Sequence, residues 1–485
     1  MEKKQKGLSA WQLTMMALGT VIGGSFFLGS SVAIQAAGPS ILISYILGGI
    51  LVYFILFALS EMTVANPDSG SFRSFAKDAF GPGVGFVVGW VYWTGMVFAM
   101  SSEATAVSIF IREWFPNVSI TILGSVIIIG VTLLNLLGAD KLSKLESGLA
   151  AVKIFAIITF IIIALFLIFG LFSGTTAIGV GELVREPLMA GGIKSIAGSM
   201  LIVMFSYAGF EIIGLAASEA ANPTKTIPRA ITYTVLCLVG FYIISIAVLL
   251  PLIPTNELNE DVSPMVAALN RWRMEWAGTF ISVVLISAIL STMLAAMFGL
   301  GRMMRSLADE GHAPKWLIDK RDVPYRGILF SGFSMILGLS MGYMLPRVYL
   351  FLISSGGFAL LFTYSVIMAT HIRFRKKNGC PPEGKCQVSG YPYTSWIVLI
   401  SMIVIILSMP FISGQSAGLI AGIVMIFSYS LIYITMKFFN NSQKNIITIK
   451  DKRVNNNEYK SILTAEYSKE LIEEIKKEYK DKKDK

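Results

Sequence analysis

Charged side chains are scarce in this sequence. Asp, Glu, Lys and Arg make up 14% of the 485 residues, whereas an average soluble domain has roughly 25%. The charges are confined to short segments between long apolar runs, and 54% of the residues are hydrophobic. Because a bilayer needs about 20 consecutive apolar residues for each spanning helix, the composition excludes an ordinary soluble domain and predicts an all-α membrane protein.

Side chains that carry enzyme chemistry are also few. The chain has three cysteines and two histidines. Cys380 and Cys386 have only His371 nearby, too few ligands for a zinc site, so we expect both to be free thiols. A phosphate-binding loop of the Walker type does not occur in the sequence, which argues against ATP as a partner. We therefore expect no enzyme activity, no metal and no cofactor.

Twelve apolar windows have the length of a spanning helix. They lie near residues 11–36, 39–64, 83–110, 119–138, 147–172, 194–218, 229–252, 276–304, 326–345, 347–371, 394–411 and 414–438. Residues 1–10 precede this membrane domain, and residues 439–485 form a charged tail. We expect the tail to be solvated and partly helical; a regulatory or membrane-surface role is the alternative.

Basic residues identify the cytoplasmic side. They are concentrated in alternate connections between the spans, above all in residues 302–326 and 373–385. The positive-inside rule then predicts a multi-pass protein of the cell membrane with both termini in the cytoplasm. This topology accounts for the net charge of +10, so we expect no nucleic-acid partner.

The first span contains the sequence GTVIGGSFFLG at 19–29. Gly23, Gly24 and Ser25 disfavour a continuous helix at this point. Unpaired main-chain groups survive within a membrane only beside protein or a water-filled cavity. A break here would offer free amides to a carboxylate and free carbonyls to an ammonium. The alternative is close helix packing through small residues.

The sixth span has a second interruption. Ser206, Gly209 and the ionisable Glu211 lie near its centre, and Asn222-Pro223 ends it. Interrupted helices at corresponding positions of two repeats are typical of inverted-repeat transporters. The pattern predicts repeats over 11–172 and 194–371, followed by two additional helices in 394–438.

Four motifs resemble amino acid permeases of the amino acid–polyamine–organocation superfamily. They are GTVIGGSFFLG at 19–29, ALSEMTVANPDSGSF at 58–72, FSYAGFEIIGLAASEAANPTKTIPRAI at 205–231 and GRMMRSLADEGHAPKWL at 301–317. The hydropathy pattern agrees over residues 8–438, and the tail lies outside the resemblance. The resemblance implies a LeuT-like fold of twelve transmembrane helices with a five-plus-five inverted repeat.

The same resemblance implies a substrate site at the two breaks. The amides of Gly23, Gly24 and Ser25 are expected to hold the substrate carboxylate. The substrate amine is expected to meet carbonyls around Val21, Ile22, Phe205, Ser206 and Ala208. Phe205 occupies the position of an aromatic gate, and ordinary core packing is its alternative.

Three ionisable residues lie within the predicted spans, where such residues are costly and usually functional. Lys153 matches the lysine that proton-coupled relatives carry in the fifth span, and we expect it to be the proton site; the alternative is an amine that reaches the membrane surface. Glu211 is expected either to respond to protons or to accept amides freed by the break. Glu103 faces the pocket, pairs with a cation or braces the third span.

These features together predict a secondary transporter. We expect proton-coupled uptake of a neutral, apolar L-amino acid by alternating access, with a cationic amino acid as the second choice of substrate. An obligate exchanger and a receptor that binds an amino acid without moving it are the alternatives. The expected partners are the amino acid and membrane lipid; the oligomeric state stays open.

Overall fold

The structure is a computed structural model of the chain. It describes residues 9–65, 71–172, 176–189, 191–211, 213, 222–319, 323–341, 347–380 and 386–439. Across these ranges the regular structure is helical and no strand occurs. The chain divides into two compact units, residues 1–427 and 428–485. In the second unit the described part is helical and ends at Phe439, so the expectation for the charged tail lies outside the described residues.

The first eight helices cover the first predicted repeat. Helices α1 to α8 are Ala10–Val21, Gly24–Phe27, Gly29–Ala37, Ile41–Ala65, Ser71–Phe80, Pro82–Ile111, Ile120–Asn135 and Ala139–Phe169. Helix α1 begins with a capping box, in which the Ser9 side chain accepts from the Gln12 amide and the Gln12 side chain accepts from the Ser9 amide. This reciprocal pair satisfies two of the amides that a helix start leaves free.

The remaining helices cover the second predicted repeat and the two helices after it. Helices α9 to α16 are Gly192–Ser206, Pro223–Leu249, Pro264–Arg271, Glu275–Asp309, Tyr325–Ser340, Val348–Asn378, Tyr393–Ser408 and Ser416–Phe439. Among the described residues, eight helical stretches are long and apolar enough to cross a membrane. Helices α7 and α9 are apolar but have only 16 and 15 residues. The count of twelve spans and the inverted repeat stay predictions.

Apolar side chains cover the outer surface of the helix bundle as well as filling its interior. In α7, Ile128 and Val131 are buried, whereas Val126, Ile129 and Leu133 are exposed. In water such a surface would be unfavourable, but in a bilayer lipid tails cover it. Polar contacts between helices are therefore expected in the interior of the helix bundle and at the ends of the helices.

The cysteine pair corrects one expectation from the sequence. Cys380 and Cys386 are joined in a disulfide and are not free thiols. Helix α14 ends at Asn378, and Gly379 follows it with a φ of 68°. The Cα atoms of the two cysteines come within 4.9 Å, a normal distance for a disulfide. Cys237 is a free thiol.

Candidate functional site

The first helix break lies where the glycine cluster predicts it. Helix α1 ends at Val21, and the Ile22 amide makes the last hydrogen bond of that helix, to the Leu18 carbonyl at 3.2 Å. Ile22 and Gly23 are extended, and α2 begins at Gly24. All of these residues are buried, so the main-chain groups at the break lie in the protein interior.

The Glu103 side chain of α6 occupies the start of α2. Its Oε2 accepts a hydrogen bond from the Gly24 amide at 2.6 Å, and its Oε1 accepts one from the Ser25 amide at 3.2 Å. Two amides that the family resemblance assigns to a substrate carboxylate therefore hold a carboxylate of the protein itself. Glu103 contacts the first break, and the sequence did not predict this partner.

The close approach of Glu103 explains why residue 24 is glycine. A Cβ atom on Gly24 would lie 2.7 Å from Glu103 Oε2, which is shorter than van der Waals contact. A Cβ on Gly23 would lie 3.1 Å from Thr292 Oγ1 and 3.3 Å from Glu103 Oε1. The glycines thus let two polar side chains reach the main chain of the break.

The second break touches the first. Helix α9 ends at Ser206, and the chain continues in turns through Glu211. The Ser206 hydroxyl donates to the Ser25 carbonyl at 3.0 Å. Gly209 has a φ of 103°, which only glycine adopts without strain, and its carbonyl accepts the Thr20 hydroxyl at 3.3 Å. Hydroxyl-to-carbonyl hydrogen bonds therefore join the two interrupted regions inside the helix bundle.

Several carbonyls predicted to meet a substrate amine already have donors. The Ile22 carbonyl accepts the Thr292 hydroxyl at 3.1 Å, and the Ser206 carbonyl accepts the Tyr242 hydroxyl at 3.0 Å. The Phe205 carbonyl accepts the Ala208 amide at 3.0 Å. A carbonyl oxygen has two lone pairs, so these contacts leave room for a second donor. Val21 is the last residue of α1 and is buried.

Phe205 lies in the last turn of α9 and is buried. Its ring packs against α14, where its Cε2 atom lies 3.3 Å from the position that a Cβ on Gly356 would take. This contact agrees with both readings of Phe205, a gate and a packed core residue.

Lys153 lies in α8, and its side chain is fully buried inside the protein. Its Nζ donates to the Gly19 carbonyl of α1 and, at 2.7 Å, to the Thr292 hydroxyl of α12. Thr292 in turn donates to the Ile22 carbonyl. The lysine is therefore connected to the first break through one side chain, and the surface-reaching alternative is wrong. Thr292 had no signal in the sequence, where it is one hydroxyl residue in an apolar span.

Glu211 is held by groups from three parts of the chain. Its Oε1 accepts the Tyr92 hydroxyl at 2.7 Å, and its Oε2 accepts the Gly209 amide at 3.1 Å and the Tyr364 hydroxyl at 3.5 Å. The contact with Gly209 is the structural role expected for an acid beside a break. Tyr92 and Tyr364 were missed because each is an ordinary aromatic residue of an apolar helix in the sequence.

Aromatic rings surround the two breaks. Phe26 stacks on Tyr242 with ring centroids 3.9 Å apart, and both rings contact Tyr45 edge-on. Tyr207 lies beside Tyr45 and donates to its carbonyl at 3.0 Å. The surroundings of the site are thus apolar, with a few hydroxyls directed at main-chain carbonyls.

The fold and the site together define a polytopic membrane transporter, in which two interrupted helices and a buried lysine meet in the interior. The chain belongs to the amino acid permease family, whose model matches residues 12–448. Members of this family are transporters and not enzymes.

Individual relatives agree with the family assignment. The chain is 33% identical over 433 residues to the gamma-aminobutyric acid permease of Bacillus subtilis, covering 87% of this chain and 92% of that protein. It is 31% identical over 419 residues to the aromatic amino acid transport protein AroP of Escherichia coli O157:H7, covering 86% and 92%.

A solved structure shows the same fold. The crystal structure of a mutant manganese transporter from Eremococcus coleocola aligns with a TM-score of 0.52 and 13% identity, covering 89% of this chain and 93% of that one. At this identity the likeness concerns the fold alone.

Proposed function

We propose that this protein takes up a neutral, apolar L-amino acid together with a proton, by alternating access. Membership of the amino acid permease family supports transport of an amino acid. The two facing helix breaks support a site that binds the zwitterionic part of the substrate. The aromatic rings of Phe26, Tyr242 and Tyr45 favour an uncharged side chain. The relatives include a gamma-aminobutyric acid permease and an aromatic amino acid transport protein.

The observation that carries the proposal is the carboxylate on the amides of Gly24 and Ser25. In the structure these amides bind a carboxylate of the protein itself. A substrate carboxylate of the same chemistry takes its place, and Glu103 must then move away. A displaced carboxylate needs a proton or a cation as its new partner, because an unpaired charge is costly in the interior. Substrate binding is thus coupled to the charge state of the site.

Lys153 is the proposed proton carrier. Its ammonium donates to Gly19 and Thr292 together, and both contacts hold α1 and α12 near the break. A neutral amine loses a donor and its positive charge, so it holds these groups less firmly. Loading and release of a proton at Lys153 therefore favour different conformations, which is the condition for coupling. Glu211, beside the second break, is the proposed second proton-responsive group.

The test is uptake by proteoliposomes loaded with buffer and diluted into a more acidic medium. The intact protein accumulates labelled amino acid under the proton gradient. Lys153→Ala abolishes accumulation but leaves part of the exchange between internal and external amino acid. Proton-driven accumulation that is unchanged in Lys153→Ala would dismiss this assignment.

The same preparation separates the alternatives. An obligate exchanger shows no net uptake into liposomes that contain no amino acid, and a receptor binds tracer without moving it. A competition panel of the twenty amino acids and gamma-aminobutyrate against one tracer identifies the substrate class. Competition by lysine or arginine alone would favour the cationic alternative, with Glu103 facing the substrate side chain.

A further inference from the structure

A third buried acid lies outside the two helix breaks, near the end of α4. Glu61 is fully buried. Its Oε1 lies 2.8 Å from Arg375 Nη1 and 3.4 Å from His371 Nε2, both on α14. Its Oε2 accepts the amides of Gln387 and Val388 at 3.1 and 3.2 Å. A buried carboxylate needs such partners. The segment that contains residues 387 and 388 therefore supplies the remaining hydrogen-bond donors to Glu61.

The disulfide lies directly against this cluster. Cys386 is the residue before Gln387, and its partner Cys380 follows the end of α14. Arg375 donates from the same Nη1 atom to Glu61 and to the Cys380 sulfur, the latter at 3.1 Å. The Ser60 hydroxyl also donates to the Gln387 side chain at 2.6 Å. The disulfide thus tethers the segment that supplies amides to Glu61.

We propose that Cys380 and Cys386 are a reversible thiol–disulfide modification site that responds to small-molecule disulfides. We call Cys380, Cys386, Arg375 and Glu61, with the amides of residues 387 and 388, the clasp. The distribution of basic residues predicts that the clasp faces the cytoplasm. Thiols there are normally kept reduced, so a pair placed to form a disulfide acts as a sensor of oxidation.

The chemistry is a thiol–disulfide exchange in two steps. The Cys380 thiolate, favoured by the Arg375 guanidinium, attacks a small disulfide RSSR and forms a mixed disulfide while one RS⁻ leaves. The Cys386 thiolate then attacks the Cys380 sulfur and releases the second RS⁻. Two protein thiols lose two electrons and two protons, and RSSR becomes two RSH.

The clasp joins helices that belong to different predicted repeats. Glu61 is in α4, Arg375 is in α14, and residues 387 and 388 precede α15. Under the proposed alternating access, the ends of these helices separate when the site opens to the cytoplasm. The disulfide restricts the movement of residues 386–388, so the amides of residues 387 and 388 stay hydrogen-bonded to Glu61. We therefore expect the oxidised protein to open more slowly. The effect on transport rests on the proposed function, whereas the formation of the disulfide does not.

The first test needs no substrate. The purified full chain is treated with oxidised or reduced glutathione, and free thiols are counted by alkylation and mass spectrometry. We expect one free thiol, Cys237, after oxidation, and three after reduction. Hydrogen exchange at the amides of residues 387 and 388 slows by roughly tenfold or more in the oxidised protein. Three free thiols after oxidation, or equal exchange in both states, would overturn the proposal.

The second test is transport by oxidised and reduced protein in liposomes. We expect oxidation to lower the rate of uptake about threefold or more, because the oxidised clasp opens more slowly. Cys237→Ser, a matched control in α10, keeps this response, and the double variant Cys380→Ser/Cys386→Ser loses it. Glu61→Gln still forms the disulfide but responds weakly, because the tethered segment has lost its charged acceptor.

Each outcome has a distinct meaning. An uptake rate that oxidation leaves unchanged or raises, with the disulfide formed, overturns the regulatory role of the clasp. A loss of the response in Cys237→Ser overturns the assignment of the site. If neither state transports any amino acid, the proposed function fails, while the alkylation and exchange results still decide whether the clasp exists.

Discussion

At the scale of single residues, the most informative side chain of the site is Glu103, which accepts hydrogen bonds from the first break. Its carboxylate holds the amides of Gly24 and Ser25 although it lies 79 residues from Gly24 in the sequence. The sequence alone showed a buried acid in the third predicted span and a glycine-rich break in the first. It did not show that the two meet, because nothing in an apolar helix encodes which neighbour faces a given side chain.

The contact between Gly24 and Glu103 predicts a steric effect. In Gly24→Ala the new Cβ lies 2.7 Å from Glu103 Oε2, so the carboxylate must shift and the two hydrogen bonds lengthen. We expect uptake to fall by about tenfold or more, the effect of about 1.4 kcal/mol. The control is Gly130→Ala in α7, where a Cβ meets nothing within 4 Å. Equal activity of the two variants would contradict the close contact.

Competition between Glu103 and substrate predicts a gain in affinity. In Glu103→Gln the amides keep a neutral acceptor, and hydrogen bonds to charged groups are stronger than neutral ones by about 1 kcal/mol. The substrate carboxylate therefore meets a weaker rival, and the half-saturating substrate concentration falls about fivefold. Equilibrium binding of the tracer measures this change. Glu113→Gln, outside the site, is the control; weaker binding by Glu103→Gln would contradict the competition.

At the scale of helices, hydrogen bonds and ion pairs connect α5 to the end of α12. Arg73 of α5 is buried and donates to both carboxylate oxygens of Glu310, at 2.7 and 3.1 Å. It also donates to the Ser306 hydroxyl at 2.8 Å. Lys77 reaches the same carboxylate at 3.3 Å but is 42% exposed. One carboxylate thus has a buried and an exposed cation as partners.

The two cations predict unequal costs. Glu310→Gln leaves Arg73 buried without its counter-charge, which destabilises the fold on the order of 2 kcal/mol. Lys77→Met removes an exposed pair that contributes about 0–1 kcal/mol. The midpoint of thermal unfolding in detergent measures both. A larger loss in Lys77→Met than in Glu310→Gln would contradict this ranking.

The same cluster predicts a dependence of stability on pH. Burial would raise the pKa of Glu310, but its hydrogen bonds and charge contacts with Arg73 and Lys77 outweigh burial and hold the pKa below its ordinary value of 4.5. Burial and the charges of Arg73 and Lys77 lower the pKa of His312 below its ordinary value of 6.5, against the opposing charge of Glu310.

Both groups bind fewer protons in the folded than in the unfolded state, so acid favours unfolding. Stability is lost as the pH falls below 6.5 through His312 and further as it falls below 4.5 through Glu310. Unfolding midpoints from about pH 8 to about pH 4 measure this dependence. His312→Gln removes the loss of stability that begins below pH 6.5, and Glu310→Gln removes the loss that begins below pH 4.5. Unfolding midpoints that rise as the pH falls would contradict the roles given to these two residues.

Helices and their interruptions were largely predictable from the sequence, because both follow from local composition. Gly23 and Gly24 predicted the first break, and the polar residues around Gly209 predicted the second. The disulfide was not predicted, because a spacing of 6 residues between two cysteines does not by itself show whether they pair. Partners such as Thr292 depend on how distant helices pack, and one sequence holds no record of that packing.

At the scale of the whole molecule, the breaks meet across 181 residues of sequence through Ser206 and the Ser25 carbonyl. Lys153 joins the same region through Thr292. A site built from two separated parts of the chain changes whenever those parts move relative to each other. Under the proposed function, substrate, proton and conformation are therefore linked in this one region, as alternating access requires.

The most direct test is an experimental density map of the protein with its amino acid bound, at a resolution that separates side-chain oxygens. The account predicts the substrate carboxylate on the amides of Gly24 and Ser25, its amine among the carbonyls of the two breaks, and Glu103 turned away. An amino acid bound elsewhere, with Glu103 still on both amides, would contradict it.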